Sequence, residues 1–273
     1  MTAVELHHGA ASDVGRVRET NEDAYLVAPP VFVVADGMGG HDAGDVASGI
    51  VVEEFGELRD RADFDARSGA EAVTERLRAC QRRIREYAAG GRRTRRSRSP
   101  GTTVVVALLV EEAGAPAWLL ANLGDSRVYR VHDGELEQVS VDHSLVQELL
   151  DAGTIRQDEV AQHPERHVIT RALGGPGEDD PDYFLLPVQD ATRLLLCTDG
   201  VSGLLDDAQI GAIITGTANP RDAATQVVAA ALEAGGEDNA TAVVVDVVGL
   251  VPDQDDDSER QPVSLEQKLG ALP

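Results

Sequence analysis

The sequence predicts an α+β layered fold built on antiparallel strands. Long helical segments come in two pairs, one after the first strands and one before the last. Between them lies a close succession of short β-prone segments. Two of those segments are joined by His132-Asp-Gly-Glu135, and an Asp-Gly turn closes an antiparallel hairpin. Helix pairs set between such strands fit a layered α+β arrangement better than a doubly wound parallel one. No internal repeat is evident.

Each element has a local cause. Residues 1–11 read as a lead-in, placed as an edge strand, and Asp13 to Asp23 as a charged loop. Ala24 to Val27 is a short strand, followed by a Pro29-Pro30 turn. Val31 to Val34 is an apolar, β-branched run suited to a buried strand, ending in Asp36 and the glycines 37, 39 and 40. Ala43 to Leu58 and Asp63 to Ala88 place apolar residues at helical spacing: Val46, Ile50, Val51 and Phe55, then Val73, Leu77, Ile84 and Tyr87. Thr102–Val110, Ala117–Asn122, Arg127–Val131 and Leu136–Ser140 read as one meander. Asp142 to Gly177 is a long insert carrying a helix over Leu145–Ala152, and inserts of that length carry function. Tyr183–Leu186 and Arg193–Thr198 are strands, and Asp206–Ile214 is a helix. Arg221–Glu233 is a helix entered through Asn219-Pro220, a cap followed by proline at the first helical position. Thr241–Val248 is the last strand.

Composition sets the class. A chain of 273 residues with 42% hydrophobic content buries a full core, and 3% aromatics leaves that core to Val, Leu, Ala and Ile. The expected organisation is one domain over residues 1–250 and an acidic, disordered tail over 251–273. A net charge of −24 argues against nonspecific binding to nucleic acid or to anionic membrane surfaces. No signal peptide or run of membrane-span length is visible, and Cys80 and Cys197 sit in no CxxC pair. Together these place the protein in the cytoplasm with reduced thiols, a disulfide between Cys80 and Cys197 being the alternative.

The chemistry is carried by carboxylates. Asp36 ends one apolar strand, Asp199 ends another in Leu194-Leu-Leu-Cys-Thr-Asp-Gly200, and Asp238 precedes the run Ala242–Val245. Convergent unpaired carboxylates repel by about 4 kcal/mol per close pair at an effective dielectric near 20, so cations must fill such a site. An all-oxygen set without His or Cys selects Mg²⁺ or Mn²⁺ over zinc. Two such ions can activate one water for in-line attack on phosphorus. Arg18, in Arg18-Glu-Thr-Asn-Glu-Asp23, is either a phosphate grip or a surface arginine paired with Glu22.

Six motifs then match a family in order and spacing. Arg18-x-x-Asn21-Glu22-Asp23, Ala35-Asp36-Gly37-Met38-Gly39-Gly40-His41, Gly101-Thr102-Thr103, Gly124-Asp125-Ser126-Arg127, Thr198-Asp199-Gly200 and Asp238-Asn239-Ala240-Thr241 resemble those of the metal-dependent type-2C protein phosphatases, the PPM family. The likeness runs from about Ala10 to Val248 and is strongest to the stand-alone bacterial branch. It implies a four-layer αββα sandwich, two antiparallel sheets flanked by helix pairs. It implies hydrolysis of phosphoserine and phosphothreonine in proteins by a metal-bridging water or hydroxide, opposing a serine/threonine kinase. By family position Asp36 bridges two tightly bound Mn²⁺ or Mg²⁺ ions and the Gly37 carbonyl binds one of them. Asp199 and Asp238 are further ligands, Glu22 and Asp23 hold metal-bound waters, Asp125 with Asp199 takes a weaker third ion, and Arg18 takes the phosphate. The insert Asp142–Gly177 corresponds to a flap beside the site. Phosphoprotein substrates and a monomeric state are expected, with no nucleic-acid or membrane partner.

Met38 stands where eukaryotic members carry a histidine, and His41 follows three residues on. His41 is therefore a candidate general acid, with a hydrogen-bonded loop role as the alternative. His143, His163 and His167 are expected on the flap surface, and Trp118 in a sheet. The run Arg92 to Arg98 is a solvated loop, a dock for acidic substrates, or a kinase site at Ser97 or Ser99. A catalytically dead binding module is the rival class, against which the intact Asp36, Asp199 and Asp238 argue. A small-molecule phosphatase is a third reading. No Asp-x-Asp-x-Thr is present, which speaks against an aspartyl-phosphate mechanism.

Overall fold

A computed structural model describes residues 3–39, 43–61, 63–90, 99–177 and 179–251. His41, the run from Arg92 to Arg98 and the acidic tail beyond Val251 lie outside them. The chain opens with β1 (Ala3–Asp13), β2 (Asp23–Ala28) and β3 (Val31–Met38), then α1 (Gly44–Phe55) and α2 (Ala66–Gly90). Next come β4 (Gly101–Thr102), β5 (Val104–Glu112), β6 (Ala115–Leu123), β7 (Arg127–His132) and β8 (Glu135–Gln138). The insert holds α3 (Leu145–Asp151) and α4 (Gln157–Val160). The chain closes through β9 (Asp182–Pro187), β10 (Arg193–Cys197), α5 (Asp199–Ser202), α6 (Asp207–Gly216), α7 (Pro220–Glu233) and β11 (Ala240–Val251).

Two antiparallel sheets result. One runs β1-β11-β10-β7-β8 and the other β2-β3-β5-β6-β9, with β4 paired to β3. The edge-strand expectation for the first residues holds, since β1 pairs only with β11 in its sheet. The single meander does not. Its four strands divide between the sheets, and Gly124-Asp125-Ser126 is the crossover rather than a hairpin turn. The residues 124–126 are a short polar link of the kind that closes hairpins, so the sequence alone did not separate the two cases.

Three apolar layers hold the four structural layers together. Phe32, Val34, Trp118, Leu120, Leu194, Leu196, Val243 and Val245 pack between the sheets. Trp118 is fully buried there, and its Nε1 donates to the Ala191 carbonyl at 3.2 Å. The faces of α1 and α2 cover the second sheet through Ile50, Phe55, Val73, Leu77, Cys80 and Ile84. Tyr87 departs from the predicted stripe and is 46% exposed, while Cys80, outside that stripe, is buried. Helices α6 and α7 cover the first sheet through Ile210, Ile214, Ala224 and Val227. The α7 entrance is as predicted: the Asn219 side chain accepts from the Arg221 N–H at 2.9 Å, with Pro220 next. Both cysteines are buried and free. Among the described residues no helix is long and apolar enough to cross a membrane.

Candidate active site

The carboxylates gather where strands of both sheets end. Asp36 lies near the end of β3, directly opposite Asp23 at the start of β2. Its backbone is pinned by the neighbouring threonines. The Asp36 N–H donates to Thr103 Oγ1 at 3.1 Å, and its carbonyl accepts from Thr103 N at 2.9 Å and Thr102 Oγ1 at 2.9 Å. Gly37 is required sterically, since a Cβ there would stand 2.3 Å from the Gly44 carbonyl oxygen. Asp199 begins α5 directly after β10, and Gly200 beside it leaves room for the Asn239 carbonyl, which a Cβ would meet at 1.8 Å. Asp125 arrives from the crossover between the sheets and is buried.

Asn239 fastens the loop that carries Glu22 and Asp23. Its Nδ2 donates to the Val14 and Thr20 carbonyls, both at 2.9 Å, and its Oδ1 accepts from the Glu22 N–H at 2.8 Å. Asp23 Oδ2 accepts from Thr241 Oγ1 at 2.7 Å and Thr198 Oγ1 at 2.9 Å. Glu22 Oε1 accepts from the Gly44 N–H at 3.3 Å, at the start of α1. These threonines and Asn239 stood inside the motifs without an assigned role. Their position beside each acid was the available signal.

Arg18 reaches across to Asp238 rather than to Glu22, with Nη2 at 2.6 Å from Oδ2. Both side chains remain solvent-accessible, so the pair is a weak one. His143 corrects a surface expectation: it is 2% exposed. Its Nδ1 accepts from the Gly124 N–H at 3.1 Å, its own N–H donates to the Gly124 carbonyl at 2.9 Å, and its Nε2 lies 3.2 Å from Asp182 Oδ2. The entrance of the insert is thereby bolted to the crossover that presents Asp125. His167 remains exposed and His163 half-buried, on the insert.

The acids perturb one another. Burial first, then the charges of Asp23, Asp199, Asp125 and Asp238, raises the Asp36 pKa well above the usual carboxylate range. Burial pushes Asp125 up to about 8, with Asp199 and Asp142 adding to the effect. Asp23 rises to about 7, again through burial first, against the pull of its two threonine hydroxyls. Asp199 is raised by burial and then by Asp238. Two buried carboxylate oxygens, Asp23 Oδ1 and Asp125 Oδ1, have no hydrogen-bond partner. Native interiors leave few such atoms, and each asks for a ligand or water.

Among the described residues no group of three or more His, Cys, Asp or Glu side chains stands so as to hold one metal ion. Mg²⁺ and similar hard ions need few protein ligands and keep several waters, so a complete cage is not required. One Asp238 oxygen is engaged by Arg18. The oxygen-only donor set and the two partnerless oxygens fit hard divalent cations.

The sequence profile of the protein phosphatase 2C family matches residues 16–234. The chain belongs to that family. Among its relatives in the protein phosphatase 2C family, the serine/threonine phosphatase stp of Listeria monocytogenes is 33% identical over 247 residues, covering 88% of this chain and 96% of that protein. The serine/threonine protein phosphatase PstP of Mycobacterium tuberculosis is 36% identical over 252 residues, covering 89% of this chain and 45% of that longer protein. A crystal structure of the PstP catalytic domain in complex with two manganese ions superposes with a TM-score of 0.78 at 34% identity, over 90% of this chain and all of that one. The αββα sandwich expected from the motifs is thus the protein phosphatase 2C architecture.

Proposed function

We propose that the protein removes phosphate from phosphoserine and phosphothreonine in phosphoprotein substrates, using two Mn²⁺ or Mg²⁺ ions held at the Asp36 end of the sandwich. The observation that carries this reading is the meeting of Asp23, Asp36, Asp125 and Asp199 at one rim. Each has its pKa raised, and two of their buried oxygens lack partners. In this reading Asp36, the Gly37 carbonyl, Asp199 and Asp238 hold the ion pair. Glu22 and Asp23 orient its waters. Asp125 and Asp199 serve a third, weaker ion.

Bound divalent ions supply a water acidified for attack on phosphorus and neutralise charge on the phosphoryl oxygens. The chain's own residues set the geometry. Thr102 and Thr103 fix the Asp36 backbone, so its carboxylate is aimed before substrate arrives. Thr198 and Thr241 hold one oxygen of Asp23, and the other, buried and without a partner, is left free to take up a water. Arg18 sits at the rim, and its guanidinium exchanges the Asp238 carboxylate for the substrate phosphate, a bidentate match. A serine/threonine kinase with overlapping targets is the natural opponent, and the protein acts as a monomer.

The test is hydrolysis of an aryl phosphate with Mn²⁺ and with chelator, followed by phosphoserine and phosphothreonine peptides. Mn²⁺-dependent release from the peptides supports the reading. Activity indifferent to chelator contradicts it, and activity confined to small phosphate esters points to a small-molecule phosphatase.

A further inference from the structure

An open cleft of about 580 Å³ lies against the site, walled by Met38, Ala88, Pro100, Ala172, Leu173 and Pro176. Arg85 also lines it, and its Nη2 donates to the carbonyls of Gly175 at 3.1 Å, Pro176 at 3.2 Å and Gly177 at 2.6 Å, which holds the guanidinium against that turn. The cleft therefore offers mainly apolar surface, with Arg85 the one charged side chain among its described lining residues.

The cleft is continuous with the carboxylate rim. Met38 is two residues beyond Asp36 on β3 and pairs with Gly101. Leu173 and Thr102 exchange backbone hydrogen bonds at 3.1 and 3.0 Å, and the Thr102 hydroxyl donates to the Asp36 carbonyl. Two strand residues span about 7 Å. An extended peptide advances about 3.3–3.6 Å per residue. A peptide with its phosphorylated residue at Asp36 thus brings a side chain one or two positions away to this cleft.

The far wall is held rigidly by one buried polar residue. Gln81 of α2 is buried, which is unusual for its type. Its Oε1 accepts from the Gly174 N–H at 2.6 Å, and its Nε2 donates to the Gly175 and Gly177 carbonyls, both at 3.1 Å. Gln81 and Arg85 together satisfy a glycine-rich turn, Gly174-Gly-Pro-Gly177, that has no secondary structure to fix it.

We propose that this cleft is a substrate subsite for an apolar side chain one or two positions from the phosphorylated residue, with Gln81 as the positioning residue of its outer wall. This rests on the protein phosphatase reading above. A cationic side chain entering the cleft would lose hydration and meet the like charge of Arg85, whereas an aliphatic one gains burial.

A panel of phosphothreonine peptides, varied at one position at a time from two before to two after the phosphothreonine, tests it. At one of those positions Leu should exceed Lys in kcat/KM by about tenfold, the low end of what one pocket contact supplies. Ala88→Asp, which places a partner for Lys in the cleft, should reduce that ratio to about twofold. Pro176→Asp, on the exposed wall, should do the same if Ala88→Asp fails to fold. Gln81→Leu should lower the ratio mainly through KM. Because the ratio compares two peptides on one preparation, partial unfolding does not move it. Wild type that hydrolyses all peptides equally overturns the subsite alone, as does a tenfold preference that survives both charged variants. Wild type that cleaves aryl phosphate but no phosphopeptide overturns the protein phosphatase reading and the subsite with it.

Discussion

Stripping divalent ions should make stability fall as pH rises from 7 to 8. In the folded chain burial pushes Asp125 up to about 8 and Asp23 up to about 7, against a value of 3.8 for the free side chain. Across this window the unfolded chain has released both protons, while the folded chain still holds much of the Asp125 proton. The folded state binds more protons, so each proton costs up to about 1.4 kcal/mol of stability per pH unit. The stabilisation is complete below the unfolded pKa and is lost as pH passes the raised one. Asp36 and Asp199, also raised by burial, act in the same direction. His8 and His143 are lowered from 6.5 by burial, so they are neutral in the folded chain and oppose the trend only slightly, near pH 7. Asp65 and Asp182 are lowered and ionised in both. Cys80 and Cys197, pushed up to about 12 by burial, enter only near their free value of 9.0. Partial titration of Asp125 and the remainder of Asp23 alone contributes about 1 kcal/mol, or roughly 2–4 °C in Tm for a domain of this size, and Asp36 and Asp199 add to it. The assay is calorimetry in EDTA and in millimolar Mn²⁺ at pH 7.0, 7.5 and 8.0. Ions bind the deprotonated carboxylates, so the gap between the two curves should widen with pH. Asp125→Asn should flatten the EDTA slope. An EDTA Tm that stays level or rises from pH 7 to 8, or a Mn²⁺ shift that does not grow, would refute the reasoning.

Other outcomes follow from single contacts. Arg18→Ala should raise KM for an aryl phosphate several-fold and move Tm by about a degree or less, because its Asp238 pair is exposed; unchanged KM would leave Arg18 as an Asp238 partner only. His143→Leu leaves the buried Gly124 N–H without its acceptor, so it should lose about 1–3 kcal/mol by denaturant titration. A loss below about 0.5 kcal/mol would mean that His143 does not anchor the crossover. Ala113 holds a left-handed φ of 52° in the turn between β5 and β6, so Ala113→Asn should raise stability by about 1 kcal/mol; a lower Tm would contradict the strain.

Legibility in the sequence followed how local each cause was. The strand that carries Asp36, the α7 cap and most of the stripe of α2 depend on neighbouring residues, and these were readable. Helix α5 was not, because four residues starting at Asp199 show no period. The division of the meander depends on which sheet each strand joins, a long-range choice that three residues at 124–126 do not encode. His143 looked like a surface residue because its neighbours are polar, and its burial comes from Gly124 and Asp182 folding around it. The convergence of Asp36, Asp125 and Asp199 was legible through motif order. The Arg18–Asp238 contact and the Gln81 clamp were not, since each joins segments far apart in sequence.

Anomalous diffraction at the manganese edge, from crystals grown with millimolar Mn²⁺, tests the central claim most directly. Two strong peaks about 3.5–4 Å apart should flank the Asp36 carboxylate, with a weaker third beside Asp125. Asp36→Asn crystals should lose the strong pair. Peaks away from Asp36, or a pair that survives in Asp36→Asn, would contradict the account.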